Sequence, residues 1–121
     1  MKRLLGDFGE QSASVYLMRH GYTILDRKWR CPLGEIDLIA REQQQLVFVE
    51  VRTRRGRANA AESITPTKQQ RLIALAYTYL ETHPLTDVTE WRIDVITLNI
   101  DQYGRVCQLQ HFRNAIDETV L

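Results

Sequence analysis

The chain has 121 residues, 44% hydrophobic and 26% charged, with 16 Lys and Arg against 15 Asp and Glu. That composition excludes disorder, collagen and coiled coil as descriptions of the whole, and its length suits one domain over residues 1–121 with its own core. The net charge of +1 argues against a nucleic-acid partner only if it is spread evenly along the chain.

Two cysteines, Cys31 and Cys107, lie far apart and form no CxxC pair, which suits a reducing compartment. No apolar run approaches the roughly 18 residues of a membrane span. The opening MKRLLGDFGEQ lacks the apolar centre of a signal peptide. The expectation is a cytoplasmic protein with no membrane partner.

Leu4 to His20 reads as a helix, with Leu4, Leu5, Phe8, Ala13, Tyr16 and Leu17 at three- and four-residue spacings and Gly21 as its stop. Gly6 and Gly9 weaken its early turns. Tyr22 to Arg30 reads as a strand, and Cys31-Pro32-Leu33-Gly34 as a turn. Glu35 to Arg41 alternates, with Ile36, Leu38 and Ala40 on one face and Glu35, Asp37 and Ile39 on the other. A short polar connection at 42–45 leads to a stronger strand, Leu46 to Arg54, so these two should form an antiparallel hairpin. Residues 55–64 read as a basic loop. Thr65 and Pro66 mark a helix start, N-cap and first turn, and the helix runs to about Thr82. Trp91 to Ile100 is a long apolar strand, Asp101 to Gly104 a turn, and Arg105 to Phe112 a last strand. The tail from Asn114 carries no clear pattern. With a helix as crossover, strand 91–100 should lie parallel to strand 46–54. The order is αβββαββ, an α/β fold with a mixed central sheet and helices on its faces.

The chemistry lies on the hairpin. Glu35 and Asp37 are two apart on one strand, and Glu50 and Arg52 two apart on the next, so each pair shares a face. Asp37 sits within Ile36-Asp37-Leu38-Ile39 and Glu50 within Val47-Phe48-Val49-Glu50-Val51. An acid flanked by such apolar runs is costly unless it is paired, hydrogen-bonded or metal-bound. Two or three carboxylates beside a cation make a hard-oxygen site for Mg²⁺, a metal suited to phosphodiester hydrolysis. Salt bridging across a hairpin is the bland alternative.

Gly34-Glu35-Ile36-Asp37-Leu38-Ile39-Ala40 followed by Val47-Phe48-Val49-Glu50-Val51-Arg52-Thr53-Arg54 resembles the PD-(D/E)XK nuclease pattern. More closely the chain resembles the YraN-like family of uncharacterised bacterial proteins. Gly9-Glu10 with Ala13, Gly21-Tyr22, Lys68 and Arg92-Ile93-Asp94 also match. The resemblance implies a restriction-endonuclease-like, three-layer α/β/α fold, similar to Holliday-junction resolvases. It implies Mg²⁺ or Mn²⁺ held by Asp37, Glu50 and the Val51 carbonyl, with Glu10 as a first-helix acid near the site and Glu35 as a possible outer ligand. The chain departs from the pattern at Arg52, where the superfamily has lysine. Arginine stays protonated, so it is a poor proton acceptor but a good bidentate phosphate holder. Lys68, at the start of the second helix, either supplies the missing ammonium or is a solvated first-turn lysine.

Charge is segregated. Residues 51–71 hold Arg52, Arg54, Arg55, Arg57, Lys68 and Arg71 against Glu62 alone, whereas residues 72–121 hold three arginines against seven acids. A basic stretch beside an acidic centre suits a phosphodiester backbone, with no base-reading motif in view. Trp29, between Lys28 and Arg30, is open to stacking on a base. His20, His83 and His111 are scattered and read as capping or surface residues, while Tyr77, Tyr79 and Trp91 read as core. The expected function is metal-dependent cleavage of DNA, branched DNA being one candidate. The alternatives are a nucleic-acid-binding module without catalysis and a protein-interaction domain using the edge at 105–112. A homodimer would suit junction substrates.

Overall fold

The structure is a computed structural model that describes residues 2–56, 64–84, 88 and 90–117, with the backbone alone for residues 2–4. Its elements run α1 (Lys2–Arg19), β1 (Thr23–Cys31), β2 (Gly34–Glu42), β3 (Gln45–Arg55), α2 (Pro66–Thr82), β4 (Glu90–Ile100) and β5 (Val106–Ile116). The five strands form one sheet in the order β1-β2-β3-β4-β5. All neighbours are antiparallel except β3 and β4, which the crossover through α2 makes parallel. The expected mixed α/β architecture and its order are therefore those of the molecule. No described helix is long and apolar enough to cross a membrane.

Each face of the sheet carries its own core. Ala13 and Leu17 of α1 pack with Leu38, Ala40, Val47, Val49, Ile96 and Leu98. Leu72, Ile73, Leu75, Ala76 and Tyr79 of α2 pack on the other side with Ile36, Ile39, Leu46, Phe48, Ile93 and Val95. Alternation along β3 and β4 sends successive apolar side chains to opposite layers, so both strands read as near-continuous hydrophobic runs.

Local chemistry places both helices. Gly21 takes φ 89, and the Tyr22 N–H reaches back to the Leu17 carbonyl at 3.0 Å, closing α1 with a Schellman-type turn. Thr65 caps α2, its hydroxyl accepting from the Lys68 N–H at 3.2 Å, with Pro66 in the first turn. Gly9 has a packing role that its low helix propensity conceals. A Cβ there would lie 1.9 Å from Thr53 Oγ1, so only glycine lets α1 settle this closely on β3.

Four expectations need correction. Cys31 belongs to β1, so the turn is shorter than Cys31–Gly34. Strand β5 continues past Phe112 to Ile116, because a bulge with Asn114 at φ 49 lets pairing resume at Ile93↔Ile116. Ile36 does not share a face with Leu38 and Ala40 but packs under α2 with Ile39. The change of face falls where β2 parts from β3, beyond Leu38↔Val49. Tyr77 is 43% exposed, edge-on to Trp91 at 5.3 Å, and so lies outside the core that Tyr79 enters.

Candidate functional site

The ladder between β2 and β3 runs from the Glu42↔Gln45 end to Leu38↔Val49. Beyond it the strands part, and a side chain takes over from backbone pairing: the Val51 N–H donates to Asp37 Oδ2 at 2.7 Å. Asp37 and Glu50 therefore face each other where the hairpin opens. Glu50 is itself largely covered, its side chain 12% exposed, and its Oε2 lies 3.5 Å from Lys68 Nζ. Parallel pairing to β4 holds β3 straight through this region, Glu50 opposite Val95 and Arg52 opposite Thr97.

The electrostatics follow from this crowding. Burial, and next the charge of Glu50, push the Asp37 carboxyl up to about 8, against which the Val51 amide pulls it down. Glu10 adds a further upward push, so α1 brings a third carboxylate into the same field. Two covered carboxylates lie together here with Lys68 beside Glu50, and a divalent cation would offset their mutual repulsion. Among the described residues no group of three or more His, Cys, Asp or Glu converges as a ready metal cage. A pair of carboxylates with one backbone carbonyl, the rest of the shell being water, is the donor set a hydrated Mg²⁺ takes.

The structure brings only some of the expected site residues together. Asp37 and Glu50 meet, and Lys68, its side chain 39% exposed, lies beside Glu50. Glu10 is within their field but ion-paired to Lys28 at 2.8 Å. Glu35 engages Arg30 at 3.5 Å. Arg52 and Arg54 lie on β3 beyond Glu50, and Arg55 ends it, exposed. Arg57 lies outside the described residues. Arg71 joins this side, its Cδ 3.6 Å from where a Gly34 Cβ would stand, so it runs along the β1–β2 turn. Trp29 is not offered to a base: it packs edge-on to Tyr79 at 5.3 Å within the α2 core.

Sequence reasoning missed a second polar centre on the α1 side. Asp94, fully buried, accepts from Arg92 Nε at 2.9 Å and from the Asn114 N–H at 2.9 Å, and pairs with His111 Nε2 at 2.8 Å. Arg92 also reaches Gln45, Tyr22 and Glu42, and Tyr16 Oη meets His111 Nδ1 at 3.0 Å. Burial pushes the Asp94 carboxyl up, but the hydrogen bonds from His111, Arg92 and Asn114 to its charged form win and hold it below its ordinary value. His111, read as a surface residue, is 5% exposed at its side chain and belongs to this network. Its signal lay only in the Arg92-Ile93-Asp94 match, because the partners come from five other elements or their edges.

The fold and site define a three-layer α/β/α protein with a paired-carboxylate centre at the open end of a hairpin. Residues 9–98 match the model of the Uncharacterised protein family UPF0102, and the chain belongs to that family, the one its sequence resembles as YraN-like. A UPF0102 protein of Chloroflexus aurantiacus is 56% identical over 117 residues, covering 97% of this chain and 96% of its own. One of Roseiflexus castenholzii is 50% identical over 116 residues, covering 94% of each. Among solved structures, Pyrococcus furiosus SfsA in complex with Ca²⁺ aligns over 96% of this chain at TM-score 0.42 and 14% identity. The chain spans 65% of that protein's length, and so distant a likeness carries nothing about chemistry.

Proposed function

We propose that this protein is a metal-dependent endonuclease that hydrolyses phosphodiester bonds in DNA, branched DNA being the candidate substrate. The observation that carries this reading is Asp37 opposite Glu50 at the open end of the hairpin, with Lys68 Nζ 3.5 Å from Glu50. Asp37, Glu50 and the Val51 carbonyl would hold Mg²⁺ or Mn²⁺, which when bound would stabilise charge on the scissile phosphate. Arg52, fixed beside Glu50 by the parallel ladder, holds a phosphate oxygen pair and donates without ever accepting a proton. Lys68 supplies the ammonium absent from position 52, oriented by Glu50 toward the same phosphate and toward the attacking water. Arg54, Arg55 and Arg57 neutralise flanking phosphates, so binding follows the backbone and not the bases. A homodimer would set two such sites on two strands of a junction.

Asp37→Ala and Glu50→Ala should each lower Mn²⁺-dependent cleavage of a branched DNA panel by at least about 100-fold while leaving the circular dichroism unchanged. Cleavage that persists in both variants sinks the assignment. A second reading, a nuclease-fold module that binds DNA without cutting it, is favoured by Arg52 in place of lysine. Gel shifts in EDTA beside cleavage in Mn²⁺ separate the two, since binding without cutting selects the module.

A further inference from the structure

The α2 side of the sheet changes character beyond Glu50. Val51 packs in the α1 core and Thr53 stands against Gly9 of α1, so Glu50, Arg52 and Arg54 share the opposite side of β3. The parallel ladder sets Thr97 and Asn99 of β4 beside the two arginines. The antiparallel ladder then sets Gln110 and Gln108 of β5 beside those, and Phe112 in the row of Glu50 and Val95. Leu109 packs in the α1 core and His111 bonds Tyr16 of α1, which leaves the two glutamines and Phe112 on the α2 side. Asn99 Nδ2 meets Gln108 Oε1 across this face at 3.4 Å. Both glutamines are exposed, and none of these β5 side chains enters the α2 core among the described residues. A polar face thus runs from the acid pair to the β5 edge.

We infer that this face binds the bases of an unpaired DNA strand: Phe112 stacks on a base, the amides of Asn99, Gln108 and Gln110 bond base edges, and Arg52 and Arg54 hold the same strand's phosphates. The inference rests on the reading of Asp37 and Glu50 as a phosphodiester-cleaving centre, and it names the substrate class, DNA with an unpaired strand beside the cut. Three observations point to this occupant. The two rows beyond Glu50 hold two arginines, a threonine and three amides, with no carboxylate, which suits a polyanion. Phe112 is a 39% exposed ring two strands from Glu50, roughly 10 Å away at the usual strand spacing. The Asn99 amide is loosely held: its bond to Gln108 is long, and its Oδ1 is covered with no partner. An amide both donates and accepts, so it suits any base and imposes no sequence. A duplex keeps its bases stacked inside and offers this face phosphates alone. Only a splayed strand brings base faces to an aromatic ring.

The test removes bases while keeping phosphates. Fluorescence anisotropy in EDTA compares a single strand, the same strand built of abasic sites, and a duplex of equal length. The full chain should bind the intact strand at least about 10-fold more tightly than the abasic one. Phe112→Leu, which keeps an apolar side chain and loses the ring, should lower the ratio of single-strand to duplex affinity about 10-fold, and Phe112→Trp should preserve it. Gln108→Ala with Gln110→Ala, both at exposed positions, should lower the same ratio severalfold and serves if Phe112→Leu fails to fold by circular dichroism. Equal binding of intact and abasic strands, or a ratio unmoved in the folded variants, overturns the inference alone. A wild type that binds no DNA of any form, and cuts none in Mn²⁺, overturns the proposed function along with it.

Discussion

Asp37 shows how one residue couples stability to function. Its folded carboxyl titrates near 8 because burial and Glu50 both oppose its charge, whereas in the unfolded chain it titrates near the ordinary 3.8. The folded state therefore binds a proton that the unfolded state releases. This favours folding below the unfolded value and is lost as pH rises through about 8. Metal-free protein should lose up to a few kcal/mol between pH 4 and 8, since a one-proton difference between the two states is worth about 1.4 kcal/mol for each step of one in pH. Asp37→Asn should flatten that slope. Urea unfolding in EDTA across the range measures it, and an unchanged slope in the variant would place the proton elsewhere. Asp37 and Glu50 were legible beforehand, because an acid inside an apolar strand is an anomaly any reader of the chain can see. The ion pairs of Lys28 were not, because both partners, Asp7 and Glu10, lie on another element.

At the scale of elements, the seat of α1 on β3 turns on Gly9. Alanine is ordinarily the better helix former by about 1 kcal/mol, but here its methyl would intrude on Thr53, and overpacking costs about 1–3 kcal/mol. The clash should win, making Gly9→Ala less stable by about 1–2 kcal/mol in denaturant unfolding, with much of the loss recovered in a Thr53→Ala background. A Gly9→Ala protein that gains stability would mean the helix rides higher than described. Elements whose signals are local were read well: α2 spans Pro66–Thr82, where its cap and proline placed it, and the parallel β3–β4 pair follows from the intervening helix. The end of β5 escaped, because what resumes it after Phe112 is a bulge held by the Asn114 N–H on Asp94, a bond across twenty residues. The turned face of Ile36 escaped for the same kind of reason, since it falls where the β2–β3 pairing stops, a point fixed by tertiary structure.

For the whole molecule, the net charge of +1 is a sum over unlike surfaces. The stretch 51–71 follows the acid pair and carries six cations against Glu62, while the α1 flank of the site presents Asp7 and Glu10 tied to Lys28. On the proposed function, nucleic acid approaching the site would thus be drawn to the α2 flank. Binding in EDTA should weaken steeply with salt, and Arg54→Ala and Arg55→Ala should each reduce the slope of log K against log salt by about 0.9. Fluorescence anisotropy on duplex and junction DNA would show it, and slopes unmoved by either change would remove these arginines from the contact.

The buried network around Asp94 has a mechanical consequence. Arg92 gathers Tyr22, Glu42 and Gln45 beside the β2–β3 turn, and His111 and Tyr16 fasten β5 and α1 to the same knot. The sheet is riveted there, whereas its β2–β3 ladder stops at Leu38 and Val49. Past that point each strand keeps its outer neighbour, β2 on β1 as far as Cys31↔Gly34 and β3 on β4 as far as Arg55↔Ile100. The gap between Asp37 and Glu50 is thus a slot in a sheet framed on both sides, and its width is set by the whole five-stranded frame and not by the hairpin alone.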